Sequence, residues 1–456
     1  MVKNRVVAQN AFFATQKTKD VAFRKQYLKR LKQEIEKQED AICEALYTDF
    51  RKPKFESLGT ETQIVLAELS GAIKQVANWS RPERVPSSWV HFPSSDWIYS
   101  EPYGKVLIIA PWNYPFMLTF VPLVGALVAG NTAVLKPSEF CPNTSKIMVE
   151  IIQNVFPAEY VTVVEGDASV SKALLDEKWE YIFFTGSTRV GKIIYQSAAA
   201  QMTPVTLELG GKNPCIVDGT ADVALAAKRI AWGKFINAGQ TCVAPDYILV
   251  HEKVKEPLVE HLKKNIVRFY GSDIKASSDF ARICTVAHYE GLKGMLQGQS
   301  LLFGGTANDT ERYLEPTLVD EPDATSALME GEIFGPILPI ISYRTEEEVH
   351  RHIEQYQKPL ALYLFSKDKK FQKRLMELHS FGGGTINDVV VQLANKNLPF
   401  GGVGHSGIGA YHGKHSFDLF SHKKSIVKRA TWLDVPIRYA PYTMPIRWVK
   451  KIKHLF

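Results

Sequence analysis

Residues 183–194 read FFTGSTRVGKII, and the reading of this run decides the fold. Gly186 and Gly191 stand five apart and Lys192 follows, as in a triphosphate-binding loop, but Ile193 occupies the place where that loop needs a Ser or Thr hydroxyl for magnesium. The other reading is a strand, YIFFT, a tight turn, GSTRVG, and a helix opening at KIIYQSAAAQ. Backbone N–H groups at such a helix start suit a pyrophosphate with no metal. The run lacks the middle glycine of Gly-x-Gly-x-x-Gly, so taken alone it is equally a plain structural turn.

Outward from this run, KVLIIA, TAVLK, YVTVVEG, YIFFTG and PVTLEL alternate with helical stretches, after an amphipathic lead over residues 11–80. That alternation predicts an open, mostly parallel, doubly wound sheet. The rhythm restarts after Asn213 with PCIVD, DYILVHE, LEPTLVD, LPIISY and LALYLF. The expected fold class is therefore α/β with two doubly wound domains, a dinucleotide-binding one over 1–84 and 102–209 and a catalytic one over 210–396. Residues 85–101, read as a hairpin with a Pro-Ser-Ser turn, and 417–429, read as a late strand, fit neither rhythm. They are expected to form a small β arm for oligomerisation, followed by a basic tail over 430–456.

Residues 106–135 carry no charge and imitate a membrane span. Pro111, Asn113, Pro115, Pro122 and Gly130-Asn131 break the run into strand, turn, buried helix and strand instead. The 456 residues are 45% hydrophobic, enough for a large core in two or three domains. A net charge of +7, with acidic and basic residues intermixed, is modest and hints only weakly at anionic partners; no nucleic-acid partner is expected. Five widely spaced cysteines with no Cys-x-x-Cys pair, and no signal peptide at the start, point to a reducing cytoplasm and to no metal site.

Three stretches carry candidate chemistry. LKPSE (135–139) ends the second strand, on the sheet edge where ligands bind, and places Lys136 and Glu139 within reach of ribose hydroxyls; a solvated strand end is the plainer reading. TLELGGKNP (206–214) and FINAGQTCVAP (235–245) each set a polar group among small residues that leave room for a substrate. Cys242 follows Gly239-Gln240-Thr241 in a loop-like context, whereas Cys43 and Cys215 sit in apolar patterns that read as core. PFGGVGHSGIG (399–409) reads as a tight structural loop, with His405 a loop residue.

With these stretches in place the chain resembles the aldehyde dehydrogenase superfamily over nearly its whole length. The resemblance lies in APWNYP, LKPSE, FTGSTRVG, LELGGKNP, NAGQTC, GEIFGP and PFGGVGHSG, in the family's order. The short lead, FGGGTIND and the GAYHGKHSFDLFSHKKS ending resemble the dimeric class 3 or fatty aldehyde branch. The resemblance implies NAD(P)-dependent oxidation of aliphatic or aromatic aldehydes to carboxylic acids, by a homodimer. CoA-acylating and inactive structural members of the fold are the alternatives; Glu208 argues for water rather than CoA as acyl acceptor, and intact Cys242, Glu208 and Asn113 speak against loss of activity.

The same resemblance assigns roles to residues. Cys242, as thiolate, attacks the aldehyde to give a thiohemiacetal. Asn113 and the Cys242 N–H form an oxyanion hole, and after hydride departs to the nicotinamide Glu208 activates the water that hydrolyses the thioester. Lys136 and Glu139 hold the adenosine ribose. The turn Gly186, Ser187, Thr188, Arg189, Val190 and Gly191 holds the pyrophosphate, Glu332 the nicotinamide ribose and Phe334 the ring. NAD is the expected cofactor, with NADP as the alternative, since Glu139 disfavours a 2′-phosphate while the branch is associated with both.

The tail, MPIRWVKKIKHLF (444–456), places Ile446, Trp448, Val449, Ile452, Leu455 and Phe456 on one helical side and its basic residues on the other. Two readings remain: a gatekeeper helix over the protein's own substrate entrance, or peripheral contact with an anionic membrane.

Overall fold

A computed structural model describes residues 2–88, 91–434 and 436–451. Among these, Lys105–Ile109, Thr132–Lys136, Val161–Val163, Tyr181–Thr185 and Val205–Glu208 form the parallel strands of a first sheet. Val205–Glu208 and Tyr181–Thr185 lie on one side of Lys105–Ile109, and Thr132–Lys136 and Val161–Val163 on the other. The chain therefore leaves Lys105–Ile109 in one direction and later returns to its opposite flank. This reversal opens a crevice outside the carboxyl ends of Lys105–Ile109 and Tyr181–Thr185, where open α/β sheets bind ligands.

The strands are apolar on both faces because both faces are covered. Val106 and Ile108 pack with the long helices of the lead and with Met117–Ala129, while Leu107 and Ile109 pack with Ile194 and Ala198 of the helix Thr188–Ala200. Every residue of Met117–Ala129 is buried, which accounts for its uniform hydrophobicity without a membrane. Gly130 ends that helix at φ 100°, where a Cβ would come within 2.9 Å of the Thr18 carbonyl oxygen. Among the described residues no helix is long and apolar enough to cross a membrane.

A second sheet runs in the order Leu301–Phe303, Thr317–Asp320, Ile337–Tyr343, Tyr247–His251, Pro214–Val217, Ala361–Phe365, Gly383–Ile386. All pairs are parallel except the edge pair of Leu301–Phe303 with Thr317–Asp320. The short strand Gly407–Ile408 then returns to the first sheet, antiparallel to Val205–Glu208, with Gly407 opposite Glu208.

A third, antiparallel sheet joins Glu83–Val85, Ser94–Pro102 and Ser421–Arg429. It departs from the expected arm at two places. The first strand is short and begins before residue 85, with Glu83 opposite Ile98, and Trp89 and Val90 of the expected hairpin lie outside the described residues. The late strand starts at Ser421, because Gly413–Leu419 is helical. Phe417 and Phe420, three apart on a helical turn, are buried in the core, Phe417 against Trp79 and Phe420 against Phe183; an extended chain would place them on opposite faces.

Candidate active site

The helix Val223–Phe235 ends in a turn whose residues Asn237, Ala238 and Gly239 are all left-handed, at φ 54°, 52° and 76°. Such a conformation is costly for residues with a Cβ and persists only where the surroundings enforce it. Here the Asn237 amide donates to the carbonyls of Asn113 (2.9 Å) and Gln240 (3.1 Å). The buried Gln240 amide donates to the Asn237 and Arg282 carbonyls and accepts from the Cys284 N–H. Glycine is required at 239, since a Cβ would lie 2.2 Å from the Gly335 oxygen. The turn delivers Thr241 and Cys242 to the gap between the two sheets. Asn213, at the start of the second sheet, holds the carbonyls of Cys242 (2.7 Å) and Ala244 (3.0 Å) through its amide.

Glu208 reaches the same gap from the end of its strand. It is buried, and among the described residues neither carboxyl oxygen has a hydrogen-bond partner. Burial pushes its pKa well above the carboxylate range, which favours the neutral acid. Cys242 is half-buried, and its pKa is pushed up to about 12, first by desolvation and then by the neighbouring Glu332 and Glu208. The N–H groups of Cys242 and Val243 face the sulfur and favour the thiolate, but burial outweighs them. In the ligand-free site burial therefore favours the thiol, because among the described residues no positive charge lies beside the sulfur to compensate a buried anion, and attack as thiolate requires that proton to leave.

Two cavities meet at this point, and Cys242, Glu208, Thr185, Leu118 and Leu209 line both. One is walled by Ile64, Met117, Trp232, Val390, Leu393 and Phe400, with Tyr114 beside the thiol. The other, of about 790 Å³, opens at the crevice of the first sheet and is lined by Trp112, Asn113, Gly186, Ser187, Glu332 and Phe334, among others. Its first-sheet walls thus come from the turns just after Lys105–Ile109 and Tyr181–Thr185, the two strands flanking the reversal.

A dinucleotide fits this second cavity on four observations. Ser187 caps the thirteen-residue helix Thr188–Ala200, its hydroxyl accepting from the Val190 N–H, which leaves the first amides of that helix at the cavity wall. Gly186 and Gly191 keep the turn close to the sheet: a Cβ on either would strike Phe184 at 2.5 Å or Leu209 at 2.7 Å. Glu332 has its pKa pushed up to about 8 by burial and Asp246, and its carboxyl faces Gly210 so closely that a Cβ there would lie 2.0 Å away. The Phe334 ring stands edge-on to Trp112, with centroids 5.4 Å apart.

Among the other expected residues, Lys136 is buried at its strand end, its ammonium on the Pro137 carbonyl (2.7 Å) and 3.4 Å from Glu139, which is partly exposed. Thr188 and Val190 are half-buried, and Arg189 is exposed on the first helical turn. The Asn113 amide donates to the Gln240 carbonyl at 3.0 Å, which orients it and leaves a second N–H. His405 is exposed and lines neither cavity; its loop closes on the Glu208 strand through the bond from Leu209 N–H to the Ser406 carbonyl.

Sequence reasoning missed Asn213, Tyr114 and His288. The Tyr114 and Thr241 hydroxyls share a hydrogen bond of 2.6 Å, and His288 meets the Phe334 carbonyl at 2.8 Å. Asn213 and Tyr114 lie inside the motifs LELGGKNP and APWNYP, where an Asn and a Tyr beside the assigned residues were the available signal. His288 had none, since it lies far in sequence from both cavities' other walls.

A doubly wound sheet whose switch-point crevice faces a cysteine loop from a second α/β sheet is the build of a nucleotide-dependent oxidoreductase. The model of the aldehyde dehydrogenase family matches residues 2–426, and the chain belongs to that family. It is 48% identical over 452 residues to a 4,4'-diaponeurosporen-aldehyde dehydrogenase of Staphylococcus aureus, covering 99% of this chain and 98% of that one. It is 43% identical to a dimeric NADP-preferring aldehyde dehydrogenase of Canis lupus familiaris, covering 94% and 96%. A solved structure of substrate-bound Staphylococcus aureus AldH superposes with a TM-score of 0.97 at 48% identity, over 99% of both chains. An NAD-dependent aldehyde dehydrogenase from Sinorhizobium meliloti gives 0.87 at 27% identity, over 97% of this chain and 88% of that one. The chain is an NAD(P)-dependent aldehyde dehydrogenase.

Proposed function

We propose that aldehyde enters through the apolar cavity and reacts at Cys242, where that cavity meets the dinucleotide cleft. The observation that carries this reading is the position of Cys242 and Glu208 on the shared wall of both cavities. In this reading the first sheet serves dinucleotide binding and the second carries the nucleophile. Cys242 gives its proton to water at the cavity junction and its sulfur bonds to the aldehyde carbon as the C=O π pair moves onto oxygen, giving a thiohemiacetal anion whose oxygen meets the free Asn113 N–H and the Cys242 N–H. The dinucleotide, bound in its oxidised form, supplies a positively charged ring and a hydride acceptor. Glu208, once deprotonated, takes a proton from the water that attacks the resulting thioester, releasing the acid and restoring the thiol.

Replacing Cys242 by Ala is expected to abolish aldehyde oxidation while dinucleotide binding, read by fluorescence titration, persists. Substantial turnover by that variant overturns the assignment. The apolar walls favour an aldehyde with a large apolar body over a small polar one. A relative named for 4,4'-diaponeurosporen-aldehyde supports the same choice. Lys136 and Glu139 together offer both charges at the ribose, a mixture that admits NAD and NADP.

The assembly proposed is a homodimer. Ser421–Arg429 is the outer strand of its sheet and exposes Ile426 and Val427, an edge that folded proteins cover, and the canine relative is named as dimeric. For the tail we favour contact with an anionic membrane over the gatekeeper. The described helix Ile446–Lys451 buries no residue, Tyr442, Ile446 and Trp448 are 78%, 73% and 51% exposed, and no residue of 436–451 lines either cavity. Ile452, Leu455 and Phe456, on which both readings also drew, lie outside the described residues.

A further inference from the structure

Behind the loop that carries Glu332 and Phe334 lies a buried ionic cluster that the reaction itself does not use. Lys212 and Asp246 are both buried, with Nζ 2.6 Å from Oδ2. The Lys212 ammonium also donates to the Leu328 carbonyl and to the Gly331 carbonyl at 2.9 Å, so all three of its donors are engaged. The other Asp246 oxygen, Oδ1, accepts the Ile333 N–H at 3.0 Å. Glu332 is thus flanked on each side by a backbone group fixed to one ion pair: the carbonyl of Gly331 before it and the N–H of Ile333 after it. A second buried lysine, Lys234, lies beside the cluster; its pKa is lowered to about 8 by burial and raised in part by Asp246 and Glu332.

We propose that Lys212 and Asp246 are positioning residues for the dinucleotide: their ion pair pins residues 328–333 so that the Glu332 carboxyl is presented at the cleft before any ligand arrives. A buried ion pair adds little net stability, because each charge loses its water. Its worth here is geometric. It satisfies three backbone groups of a segment that runs from the short helix Ala327–Glu330 into an irregular turn and fixes the carboxyl that meets a ribose. This rests on the cofactor-binding reading of Glu332.

The test uses the whole chain with Lys212→Met, Asp246→Asn, Glu332→Ala and the double variant Lys212→Met/Glu332→Ala. Dinucleotide affinity is measured by NADH fluorescence without aldehyde, and amide exchange of residues 328–335 without any ligand. Lys212→Met is expected to weaken NADH binding about tenfold or more, the scale of loss when groups supporting a ligand-binding side chain are removed. It is expected to speed exchange at Ile333 and to leave KM for aldehyde within about twofold. In the Glu332→Ala background the same change is expected to cost little further affinity, because it acts through Glu332.

A folded Lys212→Met protein that binds NADH as the wild type does, or whose loss is undiminished when Glu332 is already Ala, overturns the proposal. If Lys212→Met does not fold, Asp246→Asn decides: it keeps an acceptor for Ile333 but removes the charge, and unchanged NADH affinity and exchange overturn the proposal. Wild-type protein that binds no dinucleotide refutes the cofactor reading instead. The ligand-free exchange then still decides whether the pair pins the loop.

Discussion

Glu208 and Cys242 line the same junction of the two cavities, and the same cause, burial without a compensating charge, raises the pKa of each and favours its neutral form. A carboxyl with two unpartnered oxygens is poorly placed for structure and well placed to accept a proton from a water that the cavity admits. Replacing Glu208 by Gln is expected to leave one turnover of nicotinamide reduction per site, followed by near-arrest as thioester accumulates. An unchanged steady rate in stopped-flow absorbance excludes Glu208 as the base. The same variant has a stability signature. Because the folded-state pKa of Glu208 is raised, the stability linked to its protonation is fully present below the unfolded pKa, about 4.3, and is lost as pH rises toward the folded value. Melting temperatures from pH 5 to 8 are therefore expected to fall less for Glu208→Gln than for the wild type.

Among the elements, the antiparallel sheet of Glu83–Val85, Ser94–Pro102 and Ser421–Arg429 contributes no residue to either cavity. Its long pairing, from Ser421 with Pro102 to Arg429 with Ser94, is supported on the solvent side by Lys424 against Glu101 and by Lys423 donating to the Ser100 hydroxyl at 2.9 Å. Such exposed pairs stabilise little, so the exposed apolar edge calls for a partner more than the ion pairs compensate for its lack. Ending the chain after Phe420 retains the buried Phe417 and Phe420 and removes only this strand and the tail. Light scattering is expected to show monomers or aggregates. A well-behaved dimer of the truncated protein refutes the arm as the interface.

At the scale of the molecule, the site is a junction. The first sheet supplies Asn113, Gly186 and Glu208, the second presents Cys242 and Glu332, and Gly407 returns from beyond both to pair opposite Glu208. The apolar cavity gives such a site a use for a lipid surface, since a large apolar aldehyde partitions into membranes. The tail carries Arg447, Lys450 and Lys451 beside exposed Ile446 and Trp448, with no acidic residue after Asp434. The intact protein is expected to float with anionic vesicles at low salt and to lose that binding when 444–456 are removed. Intact protein that never floats eliminates the membrane reading.

The sequence alone determined the parallel strands of the first sheet and five of those of the second, because a strand covered on both faces must be continuously apolar and its helices amphipathic; Gly383–Ile386, glycine-rich and only half-buried, carries no such run and was missed. It also sufficed for the family resemblance, whose motifs are contiguous. The shared wall of the two cavities was beyond it, since Cys242 and Glu208 meet only when two sheets pack. Folding also decided the helical start of 413–419, where Phe417 and Phe420 find a core that local pattern does not reveal. The thiol state of Cys242 and the pinning of Glu332 by Lys212 and Asp246 belong to the tertiary structure for the same reason. Desolvation and buried ion pairing depend on what surrounds a group in space, and residues 212, 246 and 332 are brought together by packing, not by spacing along the chain.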